Sequence, residues 1–209
     1  MHTRIPEDEL KVFKSLKNVK TVFDIGARDD IDYLVLKPNI TLHAFEPNPM
    51  FFNQLKENAK GYKAYLNNFG CGEKEGFYRY NEGSQSIGGV DEKGLLIKRL
   101  DKYIDEHRIK RIDFLKIDVE LYELKVIKGL GDKIKICRYI QYEKNMNGDD
   151  VKIEQILKDN GFETFYTGYR NQLAVRKGEK MPWIPDNTQE GGTPAKEDDY
   201  YLKLKQWQK

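Results

Sequence analysis

The stretch Val22-Phe23-Asp24-Ile25-Gly26-Ala27-Arg28-Asp29-Asp30, taken with His43-Ala44-Phe45-Glu46-Pro47, decides how this chain is organised. One short apolar run enters Gly26, and a second, Thr41 to Phe45, ends on Glu46. A glycine after a first strand allows a tight turn and a close approach of a ligand to bare backbone. An acid at the tip of the second strand, roughly 20 residues on, can accept hydrogen bonds from ribose hydroxyls. The two together predict a nucleotide cradle.

Outward from the cradle, strand and helix patterns alternate. Pro6 opens a short helix with the stripe Leu10, Phe13, Leu16, and Asn48-Pro49 is a helix start followed by Phe52, Leu55 and Ala59. Lys63 to Asn67, Ile112 to Ile117 and Lys135 to Tyr142 read as further parallel strands; Asp150 reads as the cap of a late helix. Phe162 to Tyr166 and Gln172 to Val175 are spaced as an antiparallel pair. The pattern predicts an α/β domain over 1–177, with a mainly parallel sheet, an antiparallel C-terminal hairpin and helices on both faces. Asn81 to Gly94, rich in glycine and without periodicity, reads as a surface loop over the site. Residues 178–209 read as an ordered extension that packs near the acceptor site through Trp183, Tyr200, Tyr201, Leu202 and Trp207.

Composition narrows the function. The 209 residues carry 36 Lys+Arg against 34 Asp+Glu, a net charge of +2, so no excess of positive charge calls for nucleic acid. No apolar run approaches the roughly 18 residues of a membrane span. Cys71 and Cys137 stand singly, which predicts reduced thiols and a cytoplasmic protein. There is no G-x-S-x-G, P-loop or H-E-x-x-H. His43 reads as packing within a strand and His107 as solvated.

Ligands in open α/β sheets bind beyond the carboxyl ends of the strands. Asp24, Gly26, Glu46, Asn67, Asn68, Asp118, Glu120 and Glu143 all fall there. Structural roles compete at each: Asp24 can bond the turn amides, and Glu46 can cap the following helix. Two cofactor classes use such a cradle. A dinucleotide needs G-x-G-x-x-G to seat its pyrophosphate, and here Arg28 and Ile31 stand where the later glycines would fall. An adenosyl donor without phosphates needs less, which favours S-adenosylmethionine over NAD.

The ordered set VFDIGARDD (22–30), LHAFEPNPMFFNQLKENA (42–59), NNFGCGEKEGFYRY (67–80), IKRLDKYIDEHRIKRIDFLKIDVELYELKVIKG (97–129), LKDNGFETF (157–165) and NQLAVRK (171–177) resembles the FkbM family of S-adenosylmethionine-dependent methyltransferases, over roughly residues 20–177. The resemblance implies a Rossmann-like class I methyltransferase sheet of seven strands and O-methylation of a hydroxyl on a small molecule, sugar or glycan. It assigns the cofactor to Asp24, Gly26, Ala27, Arg28, Glu46, Pro47, Asn68, Phe69 and Asp118. Asp118 is expected as general base or holder of the acceptor hydroxyl, with Glu120 and Glu143 beside it; the same acids could instead hold Mg²⁺. Tyr122, Tyr142 and Tyr169 are candidates for stacking on a sugar or for packing at the sheet edge. The family usually continues DIGA with Asn-x-Gly and places Gly after KIDVE, whereas this chain has Arg28-Asp29-Asp30 and Leu121. Arg28 could pair with the donor's carboxylate, or Asp29 with its ammonium. An inactive adenosyl-binding relative and an NAD-dependent oxidoreductase are the alternatives.

Overall fold

The computed structural model describes residues 7–81, 86–145, 148–168 and 170–180. The expected C-terminal extension therefore lies, from residue 181 on, outside the described residues, as does Tyr169. In chain order, α1 (Glu7–Ser15) leads to β1 (Thr21–Ile25), α2 (Asp32–Leu36), β2 (Thr41–Phe45), α3 (Pro49–Asn58) and β3 (Ala64–Asn67). Next come β4 (Gly70–Cys71), β5 (Gly76–Asn81), β6 (Ser86–Val90) and β7 (Leu95–Lys98). The chain continues with α4 (Leu100–Glu106), β8 (Ile112–Ile117), α5 (Glu123–Leu130) and β9 (Cys137–Glu143). It closes with α6 (Asp149–Asp159), β10 (Phe162–Gly168) and β11 (Asn171–Arg176).

Seven strands form the main sheet in the order β10-β11-β9-β8-β1-β2-β3. Neighbours from β3 through β9 pair in parallel, and β11 runs antiparallel to both β9 and β10. The expected C-terminal hairpin is present, with its second strand inserted next to β9 and its first left at the edge. Alternation along the strands sends side chains to two cores. Phe23, Ile25, Leu115, Ile117 and Ile140 pack with Leu100, Ile104, Val126, Ile127, Ile153 and Leu157 from α4, α5 and α6. Val22, Leu42, Phe114 and Tyr139 pack with Val12, Phe13, Leu34 and Leu55 from α1, α2 and α3. Every residue of β8 is buried, as a central strand covered on both faces requires.

Two local expectations are corrected. Asn81 to Gly94 is not one long loop: β6 pairs antiparallel with β5, and β5 with β7, in a second sheet ordered β4-β7-β5-β6. Its Ser-Ile-Gly-Gly-Val sequence has little intrinsic strand preference, so the pairing comes from its neighbours. Asp150 does not cap α6. Gly148 occupies that position, and the Asp150 side chain accepts from the Asn145 amide at 3.1 Å. Asn48 does cap α3, accepting from the Met50 amide at 2.9 Å.

The tips of β1, β2 and β8 are stitched together. The amide of Gly26 donates to Phe45 O (2.9 Å) and the amide of Asp118 to Ile25 O (3.0 Å). Gly26 has φ +87°, and a Cβ there would stand 1.9 Å from the Asp118 carbonyl oxygen. Gly26 is thus required by the neighbouring strand, besides anything a ligand needs. Arg28 (φ +53°), Glu120 (φ +48°) and Leu121 (φ +72°) hold left-handed backbone without being glycine. Arg28 and Leu121 are also the two places where the chain departs from the pattern it resembles, and Asn and Gly are the residues that tolerate this geometry best.

Gly26→Ala is expected to cost about 3 kcal/mol or more, or to prevent folding, as measured by chemical denaturation, because backbone must move to admit the methyl. Leu121→Gly is expected to do the opposite. Leu121 is 53% exposed, so relief of its strained φ outweighs lost burial, and stability rises by about 1 kcal/mol in the same measurement.

Candidate active site

A cleft partly open to solvent lies beyond the carboxyl ends of β1, β2 and β8. This is where the chain order reverses across the sheet, the usual ligand position in such folds. Of the residues expected from sequence, Gly26, Arg28, Glu46, Pro47, Asp118 and Glu120 line it together. Sequence reasoning missed Phe51 on α3, the floor made by Gly70, Cys71 and Ile97, and the wall made by Tyr80 on β5 and Ile87 on β6. Ile87 belongs to the segment expected to roof the site, so that segment does reach the cleft. Tyr122 also lines it.

Glu46 is the best-connected acid of the cleft. It is almost fully buried, with Oε2 accepting from the Arg28 amide (2.9 Å) and Oε1 from the Asn48 amide (2.7 Å). Burial pushes its carboxyl above the ordinary value, opposed by those two amides. Each oxygen keeps a further lone pair for a ligand hydroxyl. Glu46 therefore does both things the sequence left open for it: it holds the turn and the helix start, and it faces the cleft. The Arg28 guanidinium stacks over the Phe51 ring, 4.5 Å from its centroid.

Other expected residues stand just outside the lining. The Asn68 amide donates to the carbonyls of Glu46 (2.9 Å) and Pro47 (3.2 Å) and so shapes the cradle from behind. Phe69 packs edge-on against Phe45. Ala27 and Asp29 are buried in the turn. Asp24 pairs in register with Lys116, and Lys116 with Gln141, making a buried polar row across β1, β8 and β9 on one face of the sheet. Tyr142 is fully buried and its hydroxyl finds no hydrogen-bond partner, so it packs and does not stack on a ligand. His43 packs as expected, bonded to the Tyr103 hydroxyl at 2.8 Å, and burial lowers its pKa to about 4.

Four acids gather behind and along one wall. Asp118 lies 3.4 Å from the Lys116 ammonium. Burial, and then the charge of Asp118, raises Glu120. Glu143 sits one step back, paired with Arg170 at 3.2 Å. Burial, reinforced by Asp118 and opposed by Arg170, raises Glu143 to about 7. Glu123, the first residue of α5, is likewise raised to about 7 by burial, and its position went unnoticed in the sequence. Its only signal was an acid opening a helix directly after the strand-end motif. Among the described residues no group of three or more His, Cys, Asp or Glu could hold a metal ion, so the three acids expected as an alternative Mg²⁺ site do not converge as ligands.

The raised acids have a stability consequence. Between about 4.5 and about 7, folded Glu123 and Glu143 keep protons that the unfolded chain has released. The unfolded state binds fewer protons there, so stability is expected to fall as pH rises through that window. Denaturation midpoints from pH 4 to 8 should show this decline, and Glu143→Gln should flatten it.

Residues 90–164 match the Methyltransferase FkbM domain. The chain is 23% identical over 155 residues to hexuronic acid methyltransferase AglP of Haloferax volcanii, covering 70% of this chain and 64% of that protein. Its fold is similar to that of the FkbM methyltransferase of Methylobacillus flagellatus KT, with a TM-score of 0.55 and 16% identity over 78% of this chain and 47% of that one. No helix among the described residues is long and apolar enough to cross a membrane. Over residues 90–164 the chain is thus similar to the FkbM methyltransferase domain, and it spans less than two thirds of the length of the relative and of the solved structure it matches.

Proposed function

We propose that this protein is an S-adenosylmethionine-dependent O-methyltransferase that methylates a sugar or glycan hydroxyl. The observation that carries this reading is the cleft itself: a ribose-competent carboxylate, Glu46, at one end and the acids Asp118 and Glu120 at the other, with Tyr80 and Tyr122 as aromatic walls. Aromatic faces and carboxylates together suit a ring bearing several hydroxyls. The FkbM match supports methyl transfer, and a relative named for hexuronic acid methylation supports the same class of acceptor.

The residues present fit the donor. Glu46 would accept from the ribose hydroxyls, Gly26 and Arg28 would border the methionyl portion, and Pro47 and Phe51 offer an apolar surface for the base. When bound, the donor supplies a methyl group already activated on a sulfonium. What the chain must add is placement of the acceptor oxygen and removal of its proton. Glu120 is suited to take that proton, since burial and Asp118 make it a stronger base than an ordinary glutamate. Asp118, neighboured by Lys116, is suited to orient the hydroxyl. The side chains of Tyr80 and Ile87 would shield the reacting end from water.

Titration calorimetry should detect binding of S-adenosylmethionine and none of NAD, and Glu46→Gln should weaken the former on the order of 10-fold or more. Transfer of radiolabelled methyl to a panel of hexosides and hexuronides should fall by roughly 10²–10⁴ in Asp118→Asn and Glu120→Gln, with donor affinity largely kept. Near-normal turnover in both variants would remove these assignments.

A further inference from the structure

One buried acid takes no part in the chemistry just described. Glu123 is 2% exposed and does not line the cleft. Its Oε1 accepts from the amide of Val119, the residue between Asp118 and Glu120, at 3.3 Å. Its Oε2 accepts from Asn145 Nδ2 at 2.6 Å. Asn145 Oδ1 in turn accepts from Arg170 Nη2 at 3.0 Å. Arg170 Nη1 pairs with Glu143 Oε1 at 3.2 Å, and its Nε donates to Lys144 O at 3.3 Å. A single run of polar contacts thus joins the turn carrying the cleft acids, the start of α5, the loop after β9 and the loop between β10 and β11.

We infer that Glu123 is a positioning residue whose carboxylate anchors the Asp118–Leu121 turn and sets the direction of every hydrogen bond from Val119 to Glu143. The inference rests on the roles proposed for Asp118 and Glu120. Both neighbours of Glu123 are donors, and above about pH 7, where its carboxyl is ionised, its two acceptor oxygens satisfy both, so the variants below are compared at pH 8. A glutamine in its place would present one acceptor and one donor. Either the Val119 amide would lose its partner, or Asn145 would turn over and aim its own NH₂ at Arg170. The anchor matters because Glu120 and Leu121, at φ +48° and +72°, hold a backbone conformation that costs energy unless surrounding contacts impose it. Displacement of about 1 Å in such a turn is enough to lose on the order of 10²-fold in rate.

Polarity supplies the test. Glu123→Gln and Asn145→Asp are made singly and together, because the double variant restores the match: the new amide donates to the new carboxylate, which still accepts from Arg170. Two readouts are taken, turnover on methyl hexosides and hexuronides, and hydrogen exchange of the Val119 amide without ligand. Glu123→Gln is expected to lower kcat roughly 10–100-fold, with donor Kd and acceptor KM changed by less than about 3-fold. Val119 protection should fall by about 10-fold, and the double variant should recover both within about 3-fold of wild type. Wild-type kcat and protection in Glu123→Gln, or a double variant no better than the single, would overturn the inference. If the wild-type protein methylates nothing in the panel, the proposed function fails, and loss and recovery of Val119 protection still decide the anchor.

Discussion

The contact between the Gly26 backbone and the Asp118 carbonyl is the constraint on which the site depends. With 1.9 Å between a would-be Cβ and that oxygen, β1 and β8 can bring their tips this close only through a glycine. The same two strands carry the turn of the cradle and the acids of the opposite wall. Glu46 completes the arrangement from β2, tying the Arg28 amide to the start of α3.

Concentrating acids at this end has an electrostatic cost, and the fold offsets it unevenly. Lys116 stands beside Asp118 and Arg170 beside Glu143, yet Glu120, Glu123 and Glu143 are all raised, burial being the largest cause. Beneath them the row Asp24, Lys116 and Gln141 occupies a face of the sheet where apolar side chains would pack more stably. Strained backbone at Arg28, Glu120 and Leu121 clusters around the same cleft. Unfavourable terms collected around one cleft are what a functional site looks like in physical terms.

The cradle was legible because its signals are local. An apolar run, a glycine and an acid at fixed separation specify strand, turn and strand end without help from the rest of the chain. The parallel sheet and terminal hairpin were legible for the same reason. The β5–β6 hairpin was not, since Ser86-Ile87-Gly88-Gly89-Val90 becomes a strand only through pairing with β5. Tyr142 looked like a candidate for contact with a sugar, but strand alternation turns its ring into the core beside Ile140 and Ile153. Asp150 looked like a helix cap and instead holds the Asn145 amide.

Sequence by itself determined the fold class, the cradle at Gly26 and Glu46, and the acids Asp118 and Glu120 at the end of a buried strand, because these follow from periodicity and strand-end position. Only the tertiary structure decided which acids share the cleft, that Tyr80 and Ile87 wall it, and that Glu123 reaches Val119 and Asn145. Those relations join residues distant along the chain, and their geometry exists only once β1, β8 and β9 have paired. The two departures at Arg28 and Leu121 needed both: the sequence located them, and the backbone angles showed that each occupies left-handed geometry normally given to Asn or Gly.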